Sequence, residues 1–349
     1  MIVHIFNDQK KFSVGFFHFL KDYGFDLSDT VVYHYGKASD EFEQYGVHPH
    51  FLRSWFLPFG HIKLYREMKK ADKIIVHCLA SPILLLMLWC DRDLCKKVYW
   101  VVWGKDLYLY HIAERKTVPL RMYELLRKPV LKRIGYLIGL PEDIALARTW
   151  YRATGEIIPN YMAYPYSMKY DLPVSLAYRP EKVNVLLGNS GSVTNEHREA
   201  IQILKSSKVR LGRIYCPLSY GGPKWYAEEI EMLGKKELGN LFVPLMEFLP
   251  LEEYAKIWDD IHVAVFNHKR QEAVTNMYSL ILKRKTIYLR PGSTVSSFLK
   301  SIGVVVCDYV EGCTINMLPV EVLDRNAEIL YQYISPEKVA EYWRKALED

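Results

Sequence analysis

The sequence predicts an α/β protein made of two Rossmann-like halves, each a parallel sheet covered by helices. Three observations carry this. Short apolar runs with the character of buried strands (IVHIF at 2–6, KIIVHC at 73–78, KVYWVVW at 97–103) alternate with longer segments of helical period. The stretch 171–181 (DLPVSLAYRPE) holds two prolines and no clear period, and after it the pattern restarts with VNVLL at 183–187. The 349 residues, half of them apolar, are enough for two such domains and exclude a disordered chain. Domains are therefore expected at 1–175 and 176–335, followed by a C-terminal helix at 336–349.

In the first half, strands are expected at 2–6, 30–35, 73–78 and 97–103, with helices at 12–20 and 62–70. Ser81-Pro82 supplies an N-cap and a first-turn proline for an apolar helix at 83–90. A helix over 119–134 starts near Pro119, and Pro129 should bend or split it. YLIGL at 136–140 is strand-like, and Pro141 opens another helix. In the second half, strands at 183–187, 209–215, 241–244, 261–266, 286–289 and 303–307 alternate with helices at 195–204, 226–233, 251–258, 272–282 and 294–300. A last helix covers 336–347. A cleft of sugar or nucleotide size between the two halves fits this layout.

Charge is concentrated. The net excess is +6, and the segment 115–133 alone carries seven basic residues against Glu124. One such patch suits a single anionic surface or ligand better than nucleic acid, since basic residues do not alternate with stacking rings over any length. Within it Leu120, Tyr123, Leu126, Val130 and Ile134 recur at helical spacing, the pattern of an amphipathic basic helix at an anionic membrane or of a buried stripe with a charged outer face. Trp55-Phe56-Leu57-Pro58-Phe59 could insert at the same interface. The longest apolar run has eight residues and is too short to span a bilayer. The opening MIVHIFNDQKK does not read as a signal peptide, and six cysteines without a CxxC pair suit a reducing compartment.

Three segments could carry chemistry. In VNVLLGNSGSVTNEH (183–197) a strand runs into Gly188-Asn189-Ser190-Gly191, a turn whose backbone N–H groups could receive phosphate oxygens, with Asn195 and His197 close behind. It matches neither the dinucleotide GxGxxG nor a Walker A loop, which counts against NAD and P-loop ATP chemistry. In FNHKRQEAVTNMYS (266–279), Lys269, Arg270 and Gln271 follow a strand and precede the helix at 272–282, which carries Asn276 and Met277, the position where open α/β sheets bind ligands. In WVVWGKDLY (100–108), Asp106 stands beyond the most apolar strand. Asp8 after the first strand and His77 near the end of 73–78 are further candidates for a general base, and the residues do not choose among the three. Asp91-Arg92-Asp93 is formally a DxD metal motif but follows a helix, so surface acids are expected. There is no HExxH and no zinc spacing, and no required metal is expected.

Taken together, Trp103–Tyr108, Gly188–Gly191 with Asn195-Glu196-His197, Leu251–Tyr254 and Phe266–Gln271 resemble the bacterial 4-acetamido-4,6-dideoxy-D-galactose transferases of enterobacterial common antigen synthesis. The resemblance implies a GT-B fold, with a nucleotide-sugar (dTDP- or UDP-linked) held by the C-terminal half at Gly188–Gly191, Asn195, His197, Lys269–Gln271, Asn276 and Met277. It implies an undecaprenyl-diphosphate-linked saccharide as acceptor of the N-terminal half, no required cofactor, and a peripheral position on the cytoplasmic face of the inner membrane through 115–133. A GT-B-like nucleotide-sugar epimerase and a non-catalytic sugar or lipid-phosphate binding protein are the rival readings.

Overall fold

The computed structural model of the protein describes residues 1–6, 10–36, 40–52, 60–113, 115–162, 180–207 and 209–348. Asp8, the run 55–59 and nearly all of the expected boundary 171–181 lie outside the described residues. The chain divides into two compact units, Met1–Lys169 with Ile334–Asp349, and Tyr170–Tyr333.

The first unit is laid down as β1 (Ile2–Phe6), α1 (Lys10–Asp22), β2 (Thr30–Tyr35), β3 (His50–Leu52), α2 (His61–Lys70), β4 (Lys73–His77), α3 (Pro82–Cys90), α4 (Arg92–Lys96), β5 (Val98–Val101), α5 (Gly104–Tyr108), α6 (Val118–Arg133), β6 (Tyr136–Gly139), α7 (Pro141–Tyr151) and β7 (Glu156–Pro159). Its seven strands are all parallel, in the order β3-β2-β1-β4-β5-β6-β7. The second unit follows as β8 (Val183–Leu187), α8 (His197–Lys205), β9 (Leu211–Pro217), α9 (Lys224–Leu238), β10 (Phe242–Leu245), α10 (Leu251–Asp260), β11 (Val263–Phe266), α11 (Val274–Leu282), β12 (Thr286–Leu289), α12 (Thr294–Ser301), β13 (Cys307–Asp308) and α13 (Val320–Ile334). Its six parallel strands run β10-β9-β8-β11-β12-β13. The closing helix α14 (Pro336–Leu347) belongs to the first unit.

Both sheets reverse their order of growth beside their first strand. The chain builds outward from β1 to β3 and then returns to β4; likewise it builds from β8 to β10 and returns to β11. The carboxyl ends of β1 and β4, and of β8 and β11, are therefore topological switch points, where helices diverge and ligands gain access.

The strands are apolar on both faces because helices cover both. In the first unit Val3, Ile5, Ile74, Val76 and Trp100 pack with Leu85, Leu88, Val130 and Leu131. The other face carries rings: Phe6 stacks on His77 at 3.8 Å, Phe16 closes on Trp343 of α14 at 4.7 Å, and His4 Nδ1 lies 3.1 Å from His77 Nε2. Burial lowers the His4 pKa to about 3 and holds His77 well below its ordinary value, so both rings are neutral.

Several elements differ from the sequence expectation. α6 runs as one helix through Pro129. The carbonyl that Pro129 leaves without a donor is that of Leu125, whose side chain is exposed, so water can reach this side of the helix. The strand expected at 303–307 shrinks to Cys307–Asp308, and α13 was not foreseen although Leu323, Ala327, Leu330 and Ile334 form its buried stripe. Of the stripe, Tyr123, Leu126, Val130 and Ile134 face the core, and Leu120 is half-buried. A second row on the outer face, Val118, Met122 and Leu125, is exposed beside Arg121, Lys128 and Lys132.

One of the seven basic residues of that segment is an internal brace. Arg127 is fully buried, 3.4 Å from Glu124 Oε2, and lies over the Tyr151 ring. Its Nη2 donates to the Asp106 carbonyl at 2.6 Å. Arg127→Ala strands a buried carboxylate, and a loss of about 3–5 kcal/mol in unfolding free energy is expected in denaturant titration. Lys128→Ala, on the exposed face, is expected to change it by about 0.5 kcal/mol or less.

Candidate active site

The two loops at the switch point of the second unit are built around glycine and amide chemistry. β8 ends at Leu187, and Gly188 turns the chain with φ +72° while its N–H still donates to Val265 O of β11 at 2.8 Å. A Cβ on Gly188 would lie 2.7 Å from both Asn195 Oδ1 and His197 Nε2, so the turn closes directly over these side chains. Gly191 N–H donates to Tyr220 O at 2.7 Å, and a Cβ on Gly222 would stand 1.8 Å from Gly191 O. Glycine at these places lets two backbones touch.

The helix expected from 195 begins later. Val193–Asn195 form a 3-10 turn, Glu196 adopts left-handed φ +52°, and α8 starts at His197. This arrangement turns the Asn195 side chain toward the loops. Its Oδ1 accepts from Asn189 N–H at 2.9 Å and from His268 Nε2 at 3.0 Å, and its Nδ2 reaches Ser190 Oγ at 3.5 Å and Glu272 Oε2 at 3.4 Å. One buried amide thus ties the turn after β8 to the loop after β11. His268 must carry its proton on Nε2 to donate here, and burial lowers its pKa to about 3, keeping the ring neutral.

The loop after β11 brings the cations. Lys269 N–H donates to Thr194 O at 2.9 Å, and its exposed ammonium pairs with Glu196 at 2.7 Å. Arg270 Nε lies 2.8 Å from Glu272 Oε1, and Glu272 also accepts from Thr194 Oγ1. Burial pushes the Glu272 carboxyl up, against the pull of Arg270. Gln271 and Asn276 are half-buried on the same segment. His197 is enclosed, its Nδ1 3.2 Å from Tyr226 Oη and its Nε2 without a hydrogen-bond partner among the described residues; burial lowers its pKa to about 4. Met277 lies in the core and offers no surface.

In the first unit, Asp106 is 1% exposed and engaged on both oxygens. Oδ2 accepts from Leu79 N–H at 2.6 Å and Trp100 Nε1 at 2.7 Å, and Oδ1 accepts from Trp103 N–H at 2.9 Å. The carboxylate fixes the chain just past β4, where Cys78 sits at φ +71°. His77 is sealed in the aromatic face described above. Neither group has a surface from which to take a proton, and Asp8 lies outside the described residues.

Two features escaped the sequence reading. Glu272 follows Arg270-Gln271 directly and pairs with Arg270, Thr194 and Asn195. Tyr220 and Phe248, exposed beyond β9 and β10 with ring centroids 6.1 Å apart, form an aromatic pair next to Gly191. The Tyr-Gly-Gly run after a strand was the available signal for Tyr220. Asp91 and Asp93 are helix-end acids: Asp91 caps α4 and pairs with Lys69, and Asp93 pairs with Lys96. No group of three or more His, Cys, Asp or Glu side chains able to hold a metal occurs among the described residues.

A family model described as 4-alpha-L-fucosyltransferase, glycosyl transferase group 56, matches residues 60–289, more than half of the chain. The chain belongs to this family. The motif resemblance is thereby borne out at family level, and both loops of the second switch point fall inside the match. Anabaena Alr3699/HepE, solved in complex with UDP and glucose, is similar in structure with TM-score 0.70 at 11% identity, covering 99% of each chain. Sucrose-phosphate synthase from Thermosynechococcus elongatus gives TM-score 0.60 at 11% identity, over 99% of this chain and 94% of that one. WaaG, a glycosyltransferase involved in lipopolysaccharide biosynthesis, gives 0.58 at 11% identity, over 100% and 95%. The fold is GT-B, and as a member of group 56 the chain is a glycosyltransferase.

Gly188 offers a direct check on the site. Gly188→Ala meets left-handed strain and the two 2.7 Å contacts, whereas Gly292→Ala meets the same φ of +72° with nothing within 4 Å. Both are expected to lose about 1–2 kcal/mol from backbone strain. Only Gly188→Ala should lose more than that in thermal unfolding.

Proposed function

We propose that the protein transfers a 4-acetamido-4,6-dideoxy or related sugar from a dTDP- or UDP-linked donor to a hydroxyl of a polyprenyl-diphosphate-linked saccharide. The observation that carries the donor site is the Asn195 amide, which holds a glycine turn and an arginine loop together at the carboxyl ends of β8 and β11. The donor's diphosphate lies against the turn at 188–191, whose Asn189 and Gly191 N–H groups are held by Asn195 and Tyr220, and the Lys269–Arg270 side chains and the start of α11 stabilise the charge left when the glycosidic bond breaks. The nucleobase stacks on Tyr220 and Phe248.

The acceptor oxygen attacks the anomeric carbon as the bond from that carbon to the diphosphate breaks. The acceptor's proton must go to a base in an inverting course, or to the leaving diphosphate in a retaining one. Asp106 and His77 are enclosed, so Asp8, two residues after β1, is the candidate base. Purified protein is incubated with dTDP- and UDP-sugars, with and without a short-chain polyprenyl-diphosphate saccharide. Acceptor-dependent nucleotide release with a matching mass gain supports the reading, and the product anomer assigns the proton's destination. Donor isomerised without acceptor, or bound without turnover, overturns it in favour of an epimerase or a binding protein. Arg270→Ala is expected to lower turnover by about a hundredfold, and Phe248→Ala to raise KM with little change in kcat.

The acceptor's lipid is met by the first unit. Val118, Met122 and Leu125 of α6, with Leu86 and Trp89 of the adjoining α3, are exposed apolar side chains among Arg121, Lys128 and Lys132. Apolar groups that enter the headgroup region and cations that meet anionic lipid are what an interfacial helix needs. We expect co-sedimentation with phosphatidylglycerol vesicles and little with pure phosphatidylcholine. Met122→Glu with Leu125→Glu should abolish it while leaving unfolding free energy within about 0.5 kcal/mol. Equal binding by this variant would remove the helix from the membrane interface.

A further inference from the structure

Glu272 stands among the groups assigned above to the donor's diphosphate, and the inference drawn from it rests on that assignment. Its side chain is 8% exposed. Thr194 and Asn195, from the turn after β8, reach its carboxylate from one side of the switch point, and Arg270, from the loop after β11, reaches it from the other. Ser192 Oγ lies 2.7 Å from Thr194 Oγ1 and extends the same set. This is an anion held by a hydroxyl, an amide and a guanidinium, the donor types that bind a phosphate. The anion belongs to the protein itself.

We propose that Glu272 is an internal occupant of the diphosphate subsite, which the incoming nucleotide must displace from Thr194, Asn195 and Arg270. The exchange is of like for like: one acceptor anion leaves three donors and another takes them. The chain is built for such a movement at the next residue. Ala273 carries left-handed φ +55° and is the N-cap of α11, so Glu272 rides on a separate turn ahead of the helix and can swing without unwinding it. The alternative is that Glu272 is a fixed brace that aims Arg270. The two roles predict opposite signs, because a brace helps the phosphate bind and an occupant competes with it.

Titration calorimetry on the full chain with pyrophosphate, UDP and dTDP separates them. Glu272→Gln keeps the shape and removes the competing charge; it is expected to bind all three about tenfold more tightly than the wild type. Glu272→Ala should shift in the same direction, and Glu272→Asp should stay near the wild type. Uridine and thymidine, which carry no phosphate, should show no gain. Unchanged or weaker pyrophosphate and nucleotide binding in both Glu272→Gln and Glu272→Ala overturns the proposal and leaves the donor site standing. If wild type and variants alike bind no pyrophosphate and no nucleotide, the donor-site assignment falls too.

Discussion

The side-chain amide of Asn195 is the joint on which the switch point of the second unit depends. It offers one acceptor and one NH2 group, and the arrangement around it uses both. Its oxygen takes a backbone N–H from the glycine turn and the Nε2 proton of a neutral histidine, while its nitrogen faces Ser190 and Glu272. A carboxylate could accept the same two donors but would add a negative charge beside the Glu272 carboxylate. The amide gives the geometry without the charge. Its orientation follows from the short turn at 193–195 and the left-handed Glu196, which delay the helix by two residues and free the side chain.

The two switch points solve different problems with the same topology. In the second unit the strand ends present glycine backbone, amide and guanidinium groups. In the first unit the corresponding ends are closed by neutral histidines stacked with phenylalanines and by a carboxylate saturated from three sides. A buried charge is tolerated there only because its donors are supplied in full. Asp106 thus serves as a brace for the loop after β4.

Much of this was legible in the sequence, for definite reasons. Strands such as 73–77 and 263–266 are apolar on both faces, a pattern that parallel sheets impose, and glycine next to Asn and Ser after a strand marks a tight turn. What escaped depended on contacts across the fold. Nothing local tells that Arg127 is internal while Lys128 is exposed, or that the apolar stripe of α6 has a second, outward row. The role of Asp106 depends on Trp100 of β5 and on Leu79, in the loop after β4, meeting at its carboxylate. Glu272 follows Arg270-Gln271 in sequence, but only the fold brings Thr194 and Asn195 to its carboxylate.

The last helix carries an implication for how the protein is made. α14 belongs to the first unit, where Trp343 is fully buried and packs on Phe16 and His77. The second unit is continuous in sequence and can complete itself as it leaves the ribosome. The first unit, although synthesised earlier, lacks one wall of its aromatic core until residues 334–349 emerge. Order of synthesis and order of completion are therefore inverted: the nascent chain carries an unsealed aromatic surface through the whole time its successor is being translated, and a chaperone that shields exposed rings would find its target in the N-terminal unit.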